Sequence, residues 1–168
     1  SQNSNILNSY RNTIFITVVG TLLTLAVTTL TAYPLSRPQL RGKAVYMTLL
    51  IFTMMFNGGL IPTFLLIRGI GLYNSLWALI VPTLVSAYYV ILMISFFKSL
   101  SESLLEAARI DGANEGYMLL HLVVPLSKPI LATIALFAAV GYWNSYFGAI
   151  VYLRDRSLWP VQLVLREI

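Results

Sequence analysis

Four of the six acidic residues of this chain, Glu102, Glu106, Asp111 and Glu115, crowd into one short run with Arg109 and the lone His121: ESLLEAARIDGANEGYMLLHLVVP, residues 102–125. Acids interleaved with a base suit ion pairing and docking onto another surface. They do not make a catalytic set. No cysteine is present to act as a thiolate nucleophile or metal ligand, and a single histidine in a polar segment is more often a surface group than a ligand. No metal site is expected, and no GxxxxGK loop is present to cradle a nucleotide phosphate. A second group carries different chemistry. Tyr88, Tyr89, Trp143 and Asn144 lie about ten residues from the nearest charge, and Asn57 stands beside a glycine pair. Aromatic faces and amides suit the C–H faces and hydroxyl edges of sugar rings; the alternative is helix packing with a buried amide hydrogen bond.

A strongly apolar chain holds both groups. Of 168 residues 58% are hydrophobic and 10% charged, and the mean hydropathy is +0.78. Soluble domains carry about 25% charge, so the composition points to a membrane protein. Stretches 12–36, 44–67, 69–97 and 129–153 contain no Asp, Glu, Lys or Arg, and each exceeds the roughly 20 residues a helix needs to cross the hydrocarbon core. The fold class expected is all-α, a polytopic helical membrane protein with spans at about 12–35, 44–60, 74–97 and 129–153. Thr13, Thr17, Thr21, Thr24, Thr28 and Thr31 fall on one helical face beside Gly20. That stripe suits close helix packing, with a hydrophilic pore lining as the alternative.

Pro34 and Pro38 are expected to end the first span, and FNGG (56–59) to break the second before a short interfacial helix. The polar start SQNSNILNSYRN reads as the end of an external loop of a longer chain, and 154–168 as an external polar tail. Alternation then puts 37–43 and 98–128 inside. Lys and Arg number six inside and five outside, so the charge bias is poor support, most of it from the dense 37–43 loop, and the orientation rests mainly on the polar run. The net charge of +5 is scattered over span ends with no basic patch, which argues against nucleic acid.

The polar run itself looks like two short capped helices. Ser103 with Glu106, and Ser99 with Glu102, have capping-box spacing, so a helix is expected to start between 99 and 104 and to stop at Gly112 in a left-handed turn. Asn114 can cap a second helix that ends before Pro125. Leu100, Leu104, Ala107 and Ala108 form a small, apolar stripe along the elbow so made. A solvated loop has little use for two capped helices; a docking element does.

With EAA at 106–108, Gly112, Leu122 and Val124-Pro125 in place, the run resembles the EAA loop of the permease subunits of bacterial ATP-binding cassette (ABC) importers. The family pattern ends in Ile and Leu-Pro, where this chain has Leu122 and Val124-Pro125, both conservative changes. EAARIDGAN, GYWN and YPLSRPQLRGK are similar to the carbohydrate-uptake class, relatives of the maltose permease subunits, with the MetI-like fold. The resemblance implies a multi-pass protein of the bacterial cytoplasmic membrane, in contact with lipid, whose first and last helices lie outside this sequence. It implies a second permease subunit, two cytoplasmic ATPase subunits and an extracytoplasmic solute-binding protein as partners. This chain would hold no cofactor of its own; ATP and Mg would bind the ATPases. The loop 99–125 would couple to them through Glu106 as polar anchor, Ala107 and Ala108 as close-contact surface, Gly112 as turn, and Arg109, Asp111 and Pro125 around them. Trp143, Asn144, Tyr88, Tyr89 and Asn57 are the candidates for the substrate path.

The run FNGGLIPTFLLIRGIGLYNSLWAL is similar to a branch of carbohydrate permeases that includes importers of oligomeric, in part acidic, saccharides. Arg11, Arg68, Arg154, Arg156 and Arg166 against Asp155 and Glu167 leave a positive excess on the expected outer segments, which leans toward an acidic sugar. The alternatives are an importer of peptides or amino acids, and a membrane scaffold that transports nothing. A scaffold needs no ATPase-docking elbow, and a proton-coupled transporter keeps ionisable residues inside its spans, where this chain has none.

Overall fold

The computed structural model describes residues 2–167, with side chains from residue 5; the terminal Ser1 and Ile168 of the expected outer segments lie outside the described residues. Regular structure among the described residues is helical throughout. In chain order it comprises α1 (Gln2–Ser36), α2 (Lys43–Met55), α3 (Leu60–Gly69), α4 (Trp77–Ile80), α5 (Ala87–Ser99), α6 (Glu102–Ile110), α7 (Glu115–Met118), α8 (Val124–Leu126), α9 (Lys128–Trp143), α10 (Tyr146–Tyr152) and α11 (Val161–Leu165). A π-helical turn at Leu119–Val123 joins α7 to α8, and 3-10 turns lie at Val81–Thr83 and Arg156–Leu158. Among the described residues one helix, Asn5–Ser36, is long and apolar enough to cross a membrane alone, and the number rises to four if each of three bent helix pairs counts as one span.

The chain divides into two compact units. The first holds residues 1–24, 57–84 and 135–168. Within it the threonine stripe packs. Thr13 and Thr24 are buried, the Thr13 hydroxyl accepts from the Val161 N–H at 2.9 Å, and the Thr24 hydroxyl lies 2.9 Å from the Tyr142 hydroxyl. A Cβ on Gly20 would fall 2.7 Å from the Tyr142 ring, so only glycine admits this ring against α1. These contacts favour packing over a pore lining.

Four expectations for this unit change. Residues 2–12 are helix and not loop: polar side chains such as Ser9, whose hydroxyl donates to the Asn5 carbonyl, and Asn12, which donates to the Ser157 carbonyl at 2.8 Å, find partners without leaving the helix. The segment after 153 is no loose tail. Val161 and Leu163 are buried and the segment is tied to Asn12 and Thr13 of α1. The expected third span is interrupted at residues 81–86. Pro82 has no N–H to continue the helix, and the Thr83 hydroxyl donates to the Leu79 and Ile80 carbonyls, both at 3.1 Å. The fourth is interrupted at Asn144–Ser145, where the Asn144 amide donates to the Val140 carbonyl at 2.9 Å.

The second unit holds residues 25–56 and 85–134. Its core joins Ala32, Tyr33 and Leu35 of α1 to Met93 and Phe97 of α5, and to Leu105, Leu119 and Val123 of the polar run. Pro34 stands inside the last turn of α1, which closes at Ser36 and not at the proline. α2 fully buries none of its side chains. The break after it leaves Phe52 stacked on Phe56, ring centroids 5.3 Å apart.

Candidate functional site

Residues 100–126 form the expected elbow, and it lies wholly in the second unit. Its first helix, α6, starts at Glu102 after Ser101, but neither capping box forms. The Ser99 hydroxyl donates to the Phe96 carbonyl at 2.6 Å, closing α5, and the Ser103 hydroxyl pairs with that of Ser101 at 2.7 Å. The start of α6 is set instead by Leu105, which is 1% exposed and seated in the core with Phe97. Burying a leucine gives about 2 kcal/mol, more than one cap hydrogen bond.

The end of α6 follows turn chemistry. Gly112 adopts φ +88°, the Ala113 N–H donates to the Ala108 carbonyl at 3.0 Å, and the Gly112 N–H donates to the Arg109 carbonyl at 3.0 Å. This is a Schellman stop, and it needs a residue at ease in the left-handed region. Asn114 then caps α7: its side-chain oxygen accepts from the Tyr117 N–H at 2.8 Å. The helical path does not end before Pro125, as expected, but runs through it to Leu126. A proline lacks its N–H and crowds the carbonyl four residues back, and the wider π turn at 119–123 accommodates both.

The elbow's acids divide into two kinds. Glu102 and Glu115 are paired with Arg109, whose Nη1 and Nε lie 3.5 and 3.2 Å from them. Burial works against the Arg109 charge, but the hydrogen bonds and charges of Glu115 and Glu102 outweigh it and hold the guanidinium above its ordinary pKa. The side chains of Glu106 and Asp111 are exposed and make no hydrogen bond or ion pair among the described residues. Around them stand exposed Ala107, half-buried Ala108 and Ile110, which is 86% exposed. An open groove lined by Ala108, Asp111, Gly112, Asn114, Tyr117 and Leu122 adjoins this face. Unpaired acids beside small and apolar side chains can take a cationic partner surface at close range. His121 is exposed and stacks on Tyr117, centroids 4.2 Å apart. Pro125 is exposed on the far side of the π turn.

The second group of residues is split. Trp143, Asn144 and Asn57 belong to the first unit, Tyr88 and Tyr89 to the second. Trp143 closes α9 half-exposed, and Asn144 occupies the break after it, exposed. A count of residues along one straight helix therefore does not give their depth. Asn57 spends its side-chain oxygen on the Gly59 N–H at 3.0 Å, inside the break. Tyr88 is exposed and lies against Tyr89, which is half-buried on the core of its unit.

Residues 18–158 match the family model described as binding-protein-dependent transport system inner membrane component. The chain belongs to this family. It is 48% identical over 155 residues to the polygalacturonan/rhamnogalacturonan transport system permease protein of Bacillus subtilis, which covers 92% of this chain and 54% of that protein. It is 44% identical over 162 residues to Protein LplC of the same organism, 96% of this chain and 55% of that one. The chain thus spans about half the length of these curated relatives. Among solved structures it is similar to a chain of a bacterial ABC transporter involved in the import of the acidic polysaccharide alginate. There the TM-score is 0.94 and the identity 42%, over 97% of this chain and 58% of that one. The all-α architecture is that of the ABC-importer permeases.

The matched region holds the elbow and all five residues of the second group. Two side chains that the motif did not reveal stand behind the elbow. Arg37, expected only as one charge of the 37–43 loop, is buried and reaches both Glu102 and the Phe97 carbonyl. Tyr33 donates to Glu115. Partners 65 and 82 residues apart leave no local signal; an arginine directly after a charge-free span was the only hint.

Nothing lies within 4 Å of a Cβ added at Gly112, so a substitution there acts through the backbone alone. Gly112→Val should cost about 1–2 kcal/mol, and Gly112→Asn a few tenths, since Asn tolerates φ > 0. Limited proteolysis checks this: cleavage in the elbow should rise roughly tenfold for Val and stay near the native rate for Asn.

Proposed function

We propose that this chain is the core of a multi-pass permease subunit of a bacterial ABC importer that admits a carbohydrate, an oligosaccharide and by preference an acidic one. Its likeness over almost the whole chain to part of an alginate importer carries this reading. The long α1 and the segments at about 44–60, 74–97 and 129–153 would each cross the bilayer once, with the elbow outside it. A second permease subunit, two cytoplasmic ATPases that bind ATP and Mg, and an extracytoplasmic solute-binding protein would complete the machine. In this reading ATP hydrolysis belongs to the partner ATPases and the chain itself is non-catalytic.

The elbow is the coupling element in this reading. Glu106 anchors a cleft on the ATPase, Ala107 and Ala108 let the surfaces approach closely, and Asp111 flanks the contact. Gly112 turns the chain, while Arg109 holds Glu102 and Glu115. Closure of the ATPases on ATP would move the elbow and reorient the membrane path. Trp143 and Asn144 are the strongest candidates to meet the sugar, followed by Tyr88, Tyr89 and Asn57. For the acidic lean, polygalacturonan and alginate, named for two of the relatives, are both carboxylate-bearing polymers. Two of the outward arginines are weaker support, because Arg156 pairs with Glu167 and Arg166 lies over the Tyr146 ring at 5.9 Å.

Purification of the tagged full-length subunit from its native membrane tests the assembly. A protein that hydrolyses ATP and a second permease should accompany it in near-equal amounts. Recovery of the subunit alone, in a detergent that keeps other importers intact, would count against it.

A further inference from the structure

We propose that Tyr33 and Arg37 are positioning residues that tie the elbow to the end of α1, so that its movement reaches α1 through side chains and not only through its chain connections to α5 and α9. The inference rests on the coupling reading above.

A closed circuit of polar contacts carries it. The Tyr33 hydroxyl donates to one Glu115 oxygen at 2.5 Å, and the other accepts from Arg109 Nε at 3.2 Å. Arg109 Nη1 reaches one Glu102 oxygen at 3.5 Å, and Arg37 Nη1 reaches the other at 3.4 Å. Arg37 Nε donates to the Ser36 hydroxyl at 3.1 Å, which donates in turn to the Tyr33 carbonyl at 2.6 Å. The remaining fork of Arg37 donates to the Phe97 carbonyl at 3.1 Å, in the last turn of α5. One guanidinium thus joins α1, α5 and α6, and one carboxylate joins α1 to α7.

The burial is uneven in an informative way. The Arg37 side chain is 6% exposed, whereas that of Glu102 is 46% exposed. A guanidinium taken out of water and stacked over the Tyr33 ring, 5.5 Å from its centroid, depends on these fixed acceptors. Leu105, Leu119 and Val123 already pin the elbow by apolar burial. Apolar contact is non-directional and lets the elbow rock; a ring of directional bonds fixes its angle to α1. The same geometry leaves Glu106 and Asp111 outside the ring, free for a partner.

The test uses the full-length complex reconstituted with its ATPases and its native solute-binding protein, as purified from the producing cells. The readout is the ratio of ATP hydrolysis with and without that binding protein, a signal that must cross the membrane to reach the ATPases. Arg37→Gln should lower the ratio roughly fivefold and Tyr33→Phe about threefold, within the scale of one net hydrogen bond. Basal hydrolysis and the amount of assembled complex should stay native, and Arg37→Lys should recover part of the ratio. An unchanged ratio in both variants, or a fall only in proportion to lost complex, would overturn the proposal. Glu106→Lys, run alongside, separates the two readings. If it keeps its ATPases, the docking reading has failed whatever the ring variants do.

Discussion

Glu106→Lys should abolish transport by detaching the ATPases, while the subunit is inserted in the membrane at its native level. Glu106 is exposed and makes no contact that the fold depends on, so the substitution costs the chain itself little. At a docked surface the same change removes an ion pair and places like charges together. That costs several kcal/mol, more than a hundredfold in affinity. Glu106→Gln, which loses the charge without reversing it, should retain partial transport. ATP-driven uptake of sugar, with membrane content measured by immunoblot, checks both. Native transport by the lysine variant would remove the elbow from the coupling role.

The second large effect is expected at the break after α9. Trp143→Ala and Asn144→Ala should each lower transport about tenfold or more if these side chains meet the sugar, the scale of one lost stacking or bidentate contact. Their structural cost should be small. Trp143 is half-exposed, so truncation leaves little cavity, and Asn144 gives up one side-chain bond to the Val140 carbonyl, about 1 kcal/mol. Transport per assembled complex is the quantity to measure. Parallel loss of complex and of transport would mean that both residues only pack.

What could be read from the sequence follows from the range of each interaction. Gly112 and Asn114 act on their immediate neighbours, and the turn and the cap both stand where residue type places them. Ser99 and Ser103 carry equally good local signals, yet neither caps α6, because Leu105 entering the core beside Phe97 decides where that helix begins. The charge-free stretches mark apolar surroundings but not straightness. Pro82 and Asn144 break two of them, and a run defined by missing charges is blind to a proline or to an amide turning back on its helix. The Tyr33–Glu115 and Arg37–Glu102 links, formed by residues remote in sequence, emerge only when the chain folds.

Substrate-stimulated ATP hydrolysis by the reconstituted complex is the most direct test of the importer reading. Short uronate oligosaccharides, neutral oligosaccharides, peptides and amino acids are offered in turn together with the binding protein. Import of acidic saccharides requires that oligouronates raise hydrolysis several-fold and that amino acids and peptides leave it at the basal rate, while stimulation by neutral sugars alone would remove the acidic lean and keep carbohydrate import. Stimulation by amino acids or peptides alone would contradict the carbohydrate assignment outright.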